Sequence, residues 1–147
     1  MGQSDLPLVA EIEQRAMPAP WTAVQLREEI DAVNSLALVA ADNEHLYGYA
    51  FYRSCPPECE LLHVVVASQW RRQGVASMLL IGGLTNLFDH GCTDCFLEVR
   101  ASNWAARVLY ERAGFYQIGI RKHYYRQPDE DALLLRRSLA DRLGGIR

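Results

Sequence analysis

The stretch ELLHVVVASQWRRQGVA, residues 60–76, decides the fold. Its first seven residues, Glu60 to Val66, are mostly apolar, as in a central strand that is buried on both faces. A polar segment containing Gly74 follows, and from Val75 to His90 apolar residues recur at helical spacing. The stretch therefore predicts a buried strand that runs through a polar loop into a long helix.

The polar loop has the features of an anion site. Gly74 has no side chain, so a backbone N–H group can approach a ligand closely. The first turn of the helix carries unpaired N–H groups and a partial positive charge, to which Arg71 and Arg72 add full charges. A pyrophosphate suits such a site. The loop lacks the Gly-Lys-Ser/Thr of a Walker A loop and the three-glycine dinucleotide fingerprint, and taken alone it is also compatible with a basic helix cap.

The flanking sequence predicts helices and strands in alternation. Helices are predicted from Pro7 to Met17, from Thr22 to Ala32 and from Asn103 to Arg112. Strands are predicted at Ser35 to Ala41, Leu46 to Tyr52, Cys95 to Val99, Phe115 to Tyr124 and Ala132 to Arg136. This order is typical of an α/β chain with a mixed sheet.

Length and charge narrow the class of protein. The 147 residues fit a single domain, residues 1–147, whose last residues, 140–147, are expected to fray. The net charge of -3 disfavours a general nucleic-acid binder and suits a basic protein substrate. The N-terminus has no signal-peptide pattern, and no stretch approaches the roughly 20 apolar residues that span a bilayer. We therefore expect a cytoplasmic protein without a membrane partner.

Four cysteines fall into two close pairs, Cys55 with Cys59 and Cys92 with Cys95. Two such pairs could together bind zinc. The first pair encloses two prolines, and Cys95 opens an apolar run that predicts a buried side chain. Free thiols are the preferred interpretation, and a zinc site is the alternative.

Several motifs resemble a known family. Arg71 to Ala76 follows the Arg/Gln-x-x-Gly-x-Gly/Ala acetyl-CoA signature of the GNAT superfamily, and Asn103 to Phe115 resembles its Asn-x-x-Ala-x-x-Leu-Tyr-x-x-x-Gly-Phe block. Leu97 to Asn103 is similar to the RimI branch, which acetylates the N-terminal alanine of a small-subunit ribosomal protein. Other RimI-like strings are Ile12 to Ala16, Pro20-Trp21 and His123 to Tyr125. The resemblance covers roughly Asp5 to Leu139.

The resemblance implies the GNAT fold, a single mixed β-sheet that is splayed between two central parallel strands and flanked by helices. Those strands would be Glu60 to Val66 and Cys95 to Val99, and the pantetheine arm of acetyl-CoA would lie between them. Acetyl-CoA would act as co-substrate, and no metal would be needed. The residues implied in cofactor binding are Val64, Val65, Val66, Arg71, Arg72, Gln73, Gly74, Val75, Ala76, Ser77 and Asn103.

The resemblance also implies two catalytic side chains. Glu98 would take the proton from the attacking amine, and Tyr110 would give a proton to the leaving thiolate. Glu98 lies in an apolar strand, where a carboxylate is costly unless it is paired or solvated. Its structural alternative is a salt bridge to Arg100, which alternation puts on the same face, or to another basic side chain. The alternative for Tyr110 is a core tyrosine with its hydroxyl at the surface.

Other aromatic and ionisable residues receive no catalytic role. His63 is expected to be structural or to line the substrate site. Tyr124 and Tyr125 either shape the acceptor site or are ordinary sheet aromatics. Trp21 and Trp104 are expected to pack against their neighbours.

The predicted reaction is direct transfer of acetyl from acetyl-CoA to the N-terminal α-amino group of alanine in a basic small-subunit ribosomal protein. A lysine side chain or a small amine as acceptor, and an acetyl-CoA-binding module without catalysis, remain alternatives because nothing in the sequence identifies the acceptor directly. The chain departs from its relatives at Ala76, where many members carry glycine. It also departs before Asp5, where too few residues remain for the first strand of the family fold. We expect that strand to be absent or reduced to a stub.

Overall fold

Six strands form one sheet in the computed structural model, which describes residues 1–126 and 128–140. The strands are β1 Ser35–Ala41, β2 Leu46–Cys55, β3 Glu58–Val66, β4 Asp94–Arg100, β5 Tyr116–Arg126 and β6 Asp129–Ser138. The helices are α1 Leu6–Ala16, α2 Ala23–Asp31, α3 Val75–Asp89 and α4 Trp104–Arg112. The predicted α/β class and mixed sheet are confirmed.

Several strands are longer than predicted. β2 continues to Cys55, which pairs with Glu58, and β6 begins at Asp129, which pairs with Arg126. These added residues are mostly polar, so the apolar pattern of the sequence does not mark them as strand. Backbone pairing with a neighbouring strand extends the strands beyond their apolar part.

The two central strands separate along their length. In the strand order β1-β2-β3-β4-β6-β5, the neighbours β3 and β4 run parallel, and they pair only over Glu58 to Glu60 and Asp94 to Phe96. Beyond these residues β3 stays paired with β2, and β4 stays paired with β6. A wedge-shaped opening, the central gap, therefore lies between residues 61–66 and 97–100. This opening confirms the predicted splay.

Helices cover the two faces of the sheet differently. α3 and α4 cover one face, over an apolar cluster that includes Leu97 and Val99. α1 and α2 cover the part of the opposite face that β1, β2 and β3 form, over a cluster that includes Tyr49 and Val65. Because side chains alternate along a strand, Glu98 points to the α1/α2 side of the sheet.

Close packing of α3 on β2 depends on one glycine. A Cβ added at Gly83 would lie 2.2 Å from the ring of Tyr52. That ring is fully buried, and its hydroxyl donates to the carbonyls of Leu79 and Leu80, each at 3.2 Å. A Cβ added at the neighbouring Gly82 would meet no atom within 4 Å. The packing therefore requires glycine at position 83 but not at position 82.

The residues ahead of α1 form a turn rather than a strand. Gln3–Asp5 are a short 3₁₀ helix, and the N-terminal ammonium of Met1 donates to the carbonyl of Ala37 in β1 at 3.0 Å. The predicted frayed tail lies, from residue 141 onward, outside the described residues. None of the helices in residues 1–126 and 128–140 is long and apolar enough to cross a membrane.

All four cysteines are free thiols, of which Cys59, Cys92 and Cys95 are buried and Cys55 is exposed. Cys59 and Cys95 lie opposite each other in the paired part of β3 and β4. A hydrogen bond with Cys95, together with burial, raises the pKa of Cys59 far above its usual value. Within the described part of the chain, no three Cys, His, Asp or Glu side chains are grouped to hold a metal ion.

Candidate active site

The loop between β3 and α3, residues 67–74, is called the anion loop because its backbone is shaped for an anion. Gly74 adopts a left-handed conformation with φ of 80°, and Arg72 does so with φ of 63°. A Cβ added at Gly74 would meet nothing within 4 Å, so the backbone faces open space there. The first hydrogen bond of α3 runs from the N–H of Met78 to the carbonyl of Gly74 at 3.0 Å, so the N–H groups of the preceding turn have no partner within the helix. Such N–H groups form the concavities that bind phosphate.

The predicted cofactor residues of β3 lie along the central gap. Val64 and Val66 pack toward the α3 side, and Val65 is buried on the other side. Their strand has no pairing with β4 at this point, so it presents an open edge to which an extended ligand can add as a strand would. Arg71 lies at the end of this edge, because its Nε donates to the carbonyl of Val66 at 3.3 Å. The open edge and the anion loop are therefore contiguous.

Asn103 lies beyond the end of β4, on the side where the central gap is open. Its Oδ1 accepts a hydrogen bond from the N–H of Ala106 at 3.2 Å, which caps α4. The predicted helix start at Asn103 is thereby confirmed, and its contact with a cofactor stays a prediction.

Glu98 lies on β4 where the central gap has opened, with 23% of its side chain exposed. Its carboxylate forms an ion pair with Arg121 of β5 at 3.6 Å and accepts a hydrogen bond from Tyr124, which raises the pKa of Tyr124. Arg100 instead binds Glu130 at 3.5 Å. The salt-bridge alternative for Glu98 thus applies to Arg121 rather than to Arg100. That pair is long, and the guanidinium is 56% exposed, so it is a weak contact.

Tyr110 lies on the other side of the sheet. It belongs to the same buried cluster as Leu97, whereas Glu98 points the opposite way from that strand. Burial, and after it the neighbouring Tyr125, raises the pKa of Tyr110 well above its usual value of 10. Its phenol is therefore protonated at neutral pH and can act only as a donor of that proton. A carboxylate and a protonated phenol therefore lie on opposite faces of the sheet.

Tyr125 links these two sides electrostatically, which sequence reasoning did not anticipate. Burial first, and then the charge of Glu98, raises the pKa of Tyr125, and this phenol in turn contributes to the raised pKa of Tyr110. The guanidinium of Arg100 lies 4.1 Å from the centroid of its ring. The sequence shows only a pair of tyrosines near the last hairpin, and nothing in its spacing places either one between the two groups.

A second unanticipated feature is a buried network under the α1–α2 connection. Glu13 is fully buried and accepts hydrogen bonds from the backbone N–H of Trp21 at 2.9 Å, the hydroxyl of Tyr49 at 2.6 Å and Nε2 of His63 at 3.0 Å. Burial raises the pKa of Glu13, but these three hydrogen bonds outweigh it, and the pKa lies below its usual value of 4.5. The ring of His63 also stacks on that of Trp21, with centroids 4.1 Å apart. His63 therefore makes structural contacts, and the network ties α1 and the α1–α2 connection to β3.

A surface groove of about 320 Å³ lies between α1, the β1–β2 turn and residues 67–71. Trp70 and Arg71 line it, so it borders the anion loop. Neither Glu98 nor Tyr110 lines it, so the chemistry belongs to the central gap rather than to this groove.

The arrangement fits acetyl-CoA. The anion loop offers backbone N–H groups and two guanidinium groups to a pyrophosphate, and the open edge of β3 offers hydrogen bonds to the amides of a pantetheine arm. Glu98 lies where the gap has opened, and Tyr110 lies on the opposite face of the sheet. These are the parts that acyl transfer from a thioester to an amine requires.

Comparisons with known proteins agree with this chemistry. Residues 6–115 match the acetyltransferase (GNAT) family. The ribosomal protein bS18-alanine N-acetyltransferase of Escherichia coli K12 is 35% identical over 138 residues, which cover 90% of either chain. That of Haemophilus ducreyi is 33% identical over 136 residues, which cover 90% of this chain and 93% of the relative. The crystal structure of the ribosomal-protein-S18-alanine N-acetyltransferase from Escherichia coli has a TM-score of 0.87 at 31% identity, covering 95% of this chain and 90% of that one.

The family match spans the anion loop, the central gap, Glu98 and Tyr110, and GNAT acetyltransferases use acetyl-CoA as acetyl donor. The chain is an acetyl-CoA-dependent N-acetyltransferase that belongs to the GNAT family and, within it, to the RimI branch.

Proposed function

We propose that this enzyme acetylates the N-terminal α-amino group of a ribosomal protein, with alanine as the first residue, by direct transfer from acetyl-CoA. The names of the relatives with 33% and 35% identity support this acceptor. The observation that carries the mechanism is the position of Glu98 and Tyr110 on opposite faces of the sheet, with Glu98 beside the central gap. An acceptor can approach on one side while the thiol leaves on the other.

Glu98 acts as the base. An α-amino group is largely protonated at neutral pH and cannot attack until it loses a proton. Glu98 takes that proton, directly or through a water molecule, while the amine nitrogen forms a bond to the acetyl carbon. Its weak pair with Arg121 leaves the carboxylate able to turn to the incoming amine.

Tyr110 acts as the acid. When the bond between the acetyl carbon and sulfur breaks, the sulfur carries the electron pair and a negative charge. The phenol of Tyr110 donates its proton to that sulfur, which gives free CoA thiol and the acetylated amine. A backbone N–H of the segment Val64 to Val66 polarises the acetyl carbonyl.

The loop and the open strand edge hold the co-substrate. We propose that the amides from Arg72 to Ser77 bind the pyrophosphate, that Arg71 and Arg72 add charge, and that Val64, Val65 and Val66 border the pantetheine arm. Asn103 contacts the thioester end, which its position beyond β4 permits. No metal takes part in these roles.

The net charge of the enzyme supports a basic partner. With 15 basic and 18 acidic side chains the chain is negatively charged, so its field favours encounter with a positively charged small-subunit ribosomal protein. We propose no contact with nucleic acid or membrane.

Mass spectrometry of a peptide panel tests the acceptor. The panel contains an N-terminal alanine peptide with a free amine, the same peptide with a blocked N-terminus and an internal lysine, and a small diamine. We expect acetylation of the free α-amino group alone. Acetylation of the lysine in the blocked peptide would show that the acceptor is a side chain. Binding of acetyl-CoA without any product would show that the protein is a binding module without catalysis.

A further inference from the structure

Glu60 is a carboxylate at the point where the central gap begins. It is the last residue of β3 that pairs with β4, opposite Phe96. Its neighbours Cys59 and Leu61 belong to the cluster on the α3/α4 side, so the side chain of Glu60 points to the same side of the sheet as Glu98. It is also exposed. The mechanism proposed above gives this residue no role.

Three charged side chains, those of Glu98, Arg53 and Arg121, act on the carboxylate of Glu60. Loss of surrounding water and then the charge of Glu98 raise the pKa of Glu60, while Arg53 and Arg121 act in the opposite direction. Arg53 is held by Glu29 in an ion pair of 2.9 Å. Arg121 is paired with Glu98 at 3.6 Å. In this group three carboxylates, Glu29, Glu60 and Glu98, therefore accompany the two guanidinium groups.

The strand geometry and these charges suit a cationic ligand on the acceptor side of the gap. Each amine acceptor arrives mainly as an ammonium group, with hydrogen-bond donors in several directions. One carboxylate can accept one of these hydrogen bonds while the other takes the proton. Carboxylates bound to a cation form charge-assisted hydrogen bonds, which are stronger than neutral ones.

We propose that Glu60 is an acceptor-binding residue that holds the incoming amine in its ammonium form at the start of the central gap, beside Glu98. This inference rests on the proposed function only in needing an amine acceptor, whichever amine that is. Glu60 binds and orients the ammonium, and Glu98 removes the proton. Loss of Glu60 should therefore weaken acceptor binding and leave the chemical step largely intact.

Steady-state kinetics of Glu60→Gln test this role, with the panel member that the wild type acetylates fastest as acceptor. We expect the KM for the acceptor to rise roughly tenfold, the effect of losing one charged hydrogen bond, with kcat and the KM for acetyl-CoA within about twofold of wild type. Glu60→Asp keeps the charge on a shorter side chain and should recover part of the loss. In the wild type the acceptor KM should rise as pH falls through the raised pKa of Glu60, and this rise should be absent from Glu60→Gln.

Glu58→Gln is the matched control. Glu58 lies two residues before Glu60 on the same strand and points to the same side of the sheet. It pairs with Asp94, where β3 and β4 are still joined, so Glu58→Gln removes the same charge at a position away from the gap. Its acceptor KM should stay within about twofold of wild type. An unchanged acceptor KM in Glu60→Gln, or an equal rise in Glu58→Gln, overturns the role of Glu60. A parallel loss of kcat and acetyl-CoA affinity would mean structural damage and overturns it as well.

The choice of acceptor separates this inference from the proposed function. If the wild type acetylates only lysine or a small amine, the proposed acceptor is wrong, and the kinetics of Glu60→Gln on that amine still decide the role of Glu60. If no amine is acetylated, both are wrong.

Discussion

Tyr110 keeps its proton under all ordinary assay conditions because burial raises the pKa of its phenol. In the proposed mechanism this proton moves to the leaving sulfur as the bond between the acetyl carbon and sulfur breaks. The pH dependence of kcat should accordingly contain no step from ionisation of Tyr110 near neutrality.

Replacement of Tyr110 by Phe removes the proton and keeps the ring. We expect kcat to fall by roughly 10²–10⁴-fold, the usual contribution of a general acid, with little change in acetyl-CoA affinity. Stopped-flow detection of thiol release and calorimetric titration of acetyl-CoA measure the two quantities. A variant with wild-type kcat would leave Tyr110 as a core side chain, the alternative considered from the sequence.

Glu13 makes the protein sensitive to acid. In the folded state the pKa of Glu13 lies below its usual value of 4.5, so ionised Glu13 stabilises the fold fully at pH values above 4.5. This stabilisation is lost as pH falls through the lowered folded pKa, since the folded protein must then bind a proton that the unfolded chain binds more readily.

Glu13→Gln should lower the free energy of unfolding by about 1–3 kcal/mol at neutral pH, because buried donors lose a charged acceptor. Urea denaturation at neutral and acid pH should also show that the variant loses less stability on acidification than the wild type does. Glu11→Gln, two residues earlier on the same helix and in an exposed pair with Arg15 at 3.0 Å, is the control and should stay close to wild type. Equal effects of the two substitutions would contradict the structural role of Glu13.

The helix α3 joins the anion loop to the core, and its packing on β2 is close enough to test with a pair of neighbouring glycines. Gly83→Ala forces a methyl group into the buried ring of Tyr52, so we expect a loss of roughly 1–3 kcal/mol or more in the free energy of unfolding. Gly82→Ala meets open space and should gain up to about 1 kcal/mol from helix propensity. Chemical denaturation of the two variants measures the difference, and equal stabilities would contradict the packing of α3.

Helices and strands could be predicted from the sequence because the residues that indicate them lie close together in the chain. The start of α3 at Val75 after Gly74 and the Thr22–Gln25 cap of α2 depend on residues a few positions apart. The contacts of Glu13 could not be predicted, because Tyr49 and His63 lie 36 and 50 residues away from it in the chain. For the same reason, alternation within one strand suggested Arg100 as the partner of Glu98, whereas the partner is Arg121 on another strand.

At the scale of the whole molecule, the central gap shows what the sequence can and cannot predict. Apolar periodicity predicts two buried strands, but it does not say that they pair over three residues and then separate. The resemblance to the GNAT family predicted that the two strands splay apart, and the short pairing of β3 and β4 confirms the splay. The position of Glu60 at the start of the gap follows from strand register, which no local pattern specifies.

The role of Glu98 as base is tested by measuring the release of CoA thiol from acetyl-CoA. The acceptor is a short peptide that begins with alanine, and the wild type is compared with Glu98→Gln. We predict rapid release by the wild type and a fall in kcat of roughly 10²–10⁴-fold in the variant, with acetyl-CoA binding retained. Such a result would support acetyl transfer to an α-amino group with Glu98 as its base. Equal rates from the two proteins would contradict the role of Glu98. Tight acetyl-CoA binding by the wild type without release of CoA thiol would contradict the proposed α-amino acceptor.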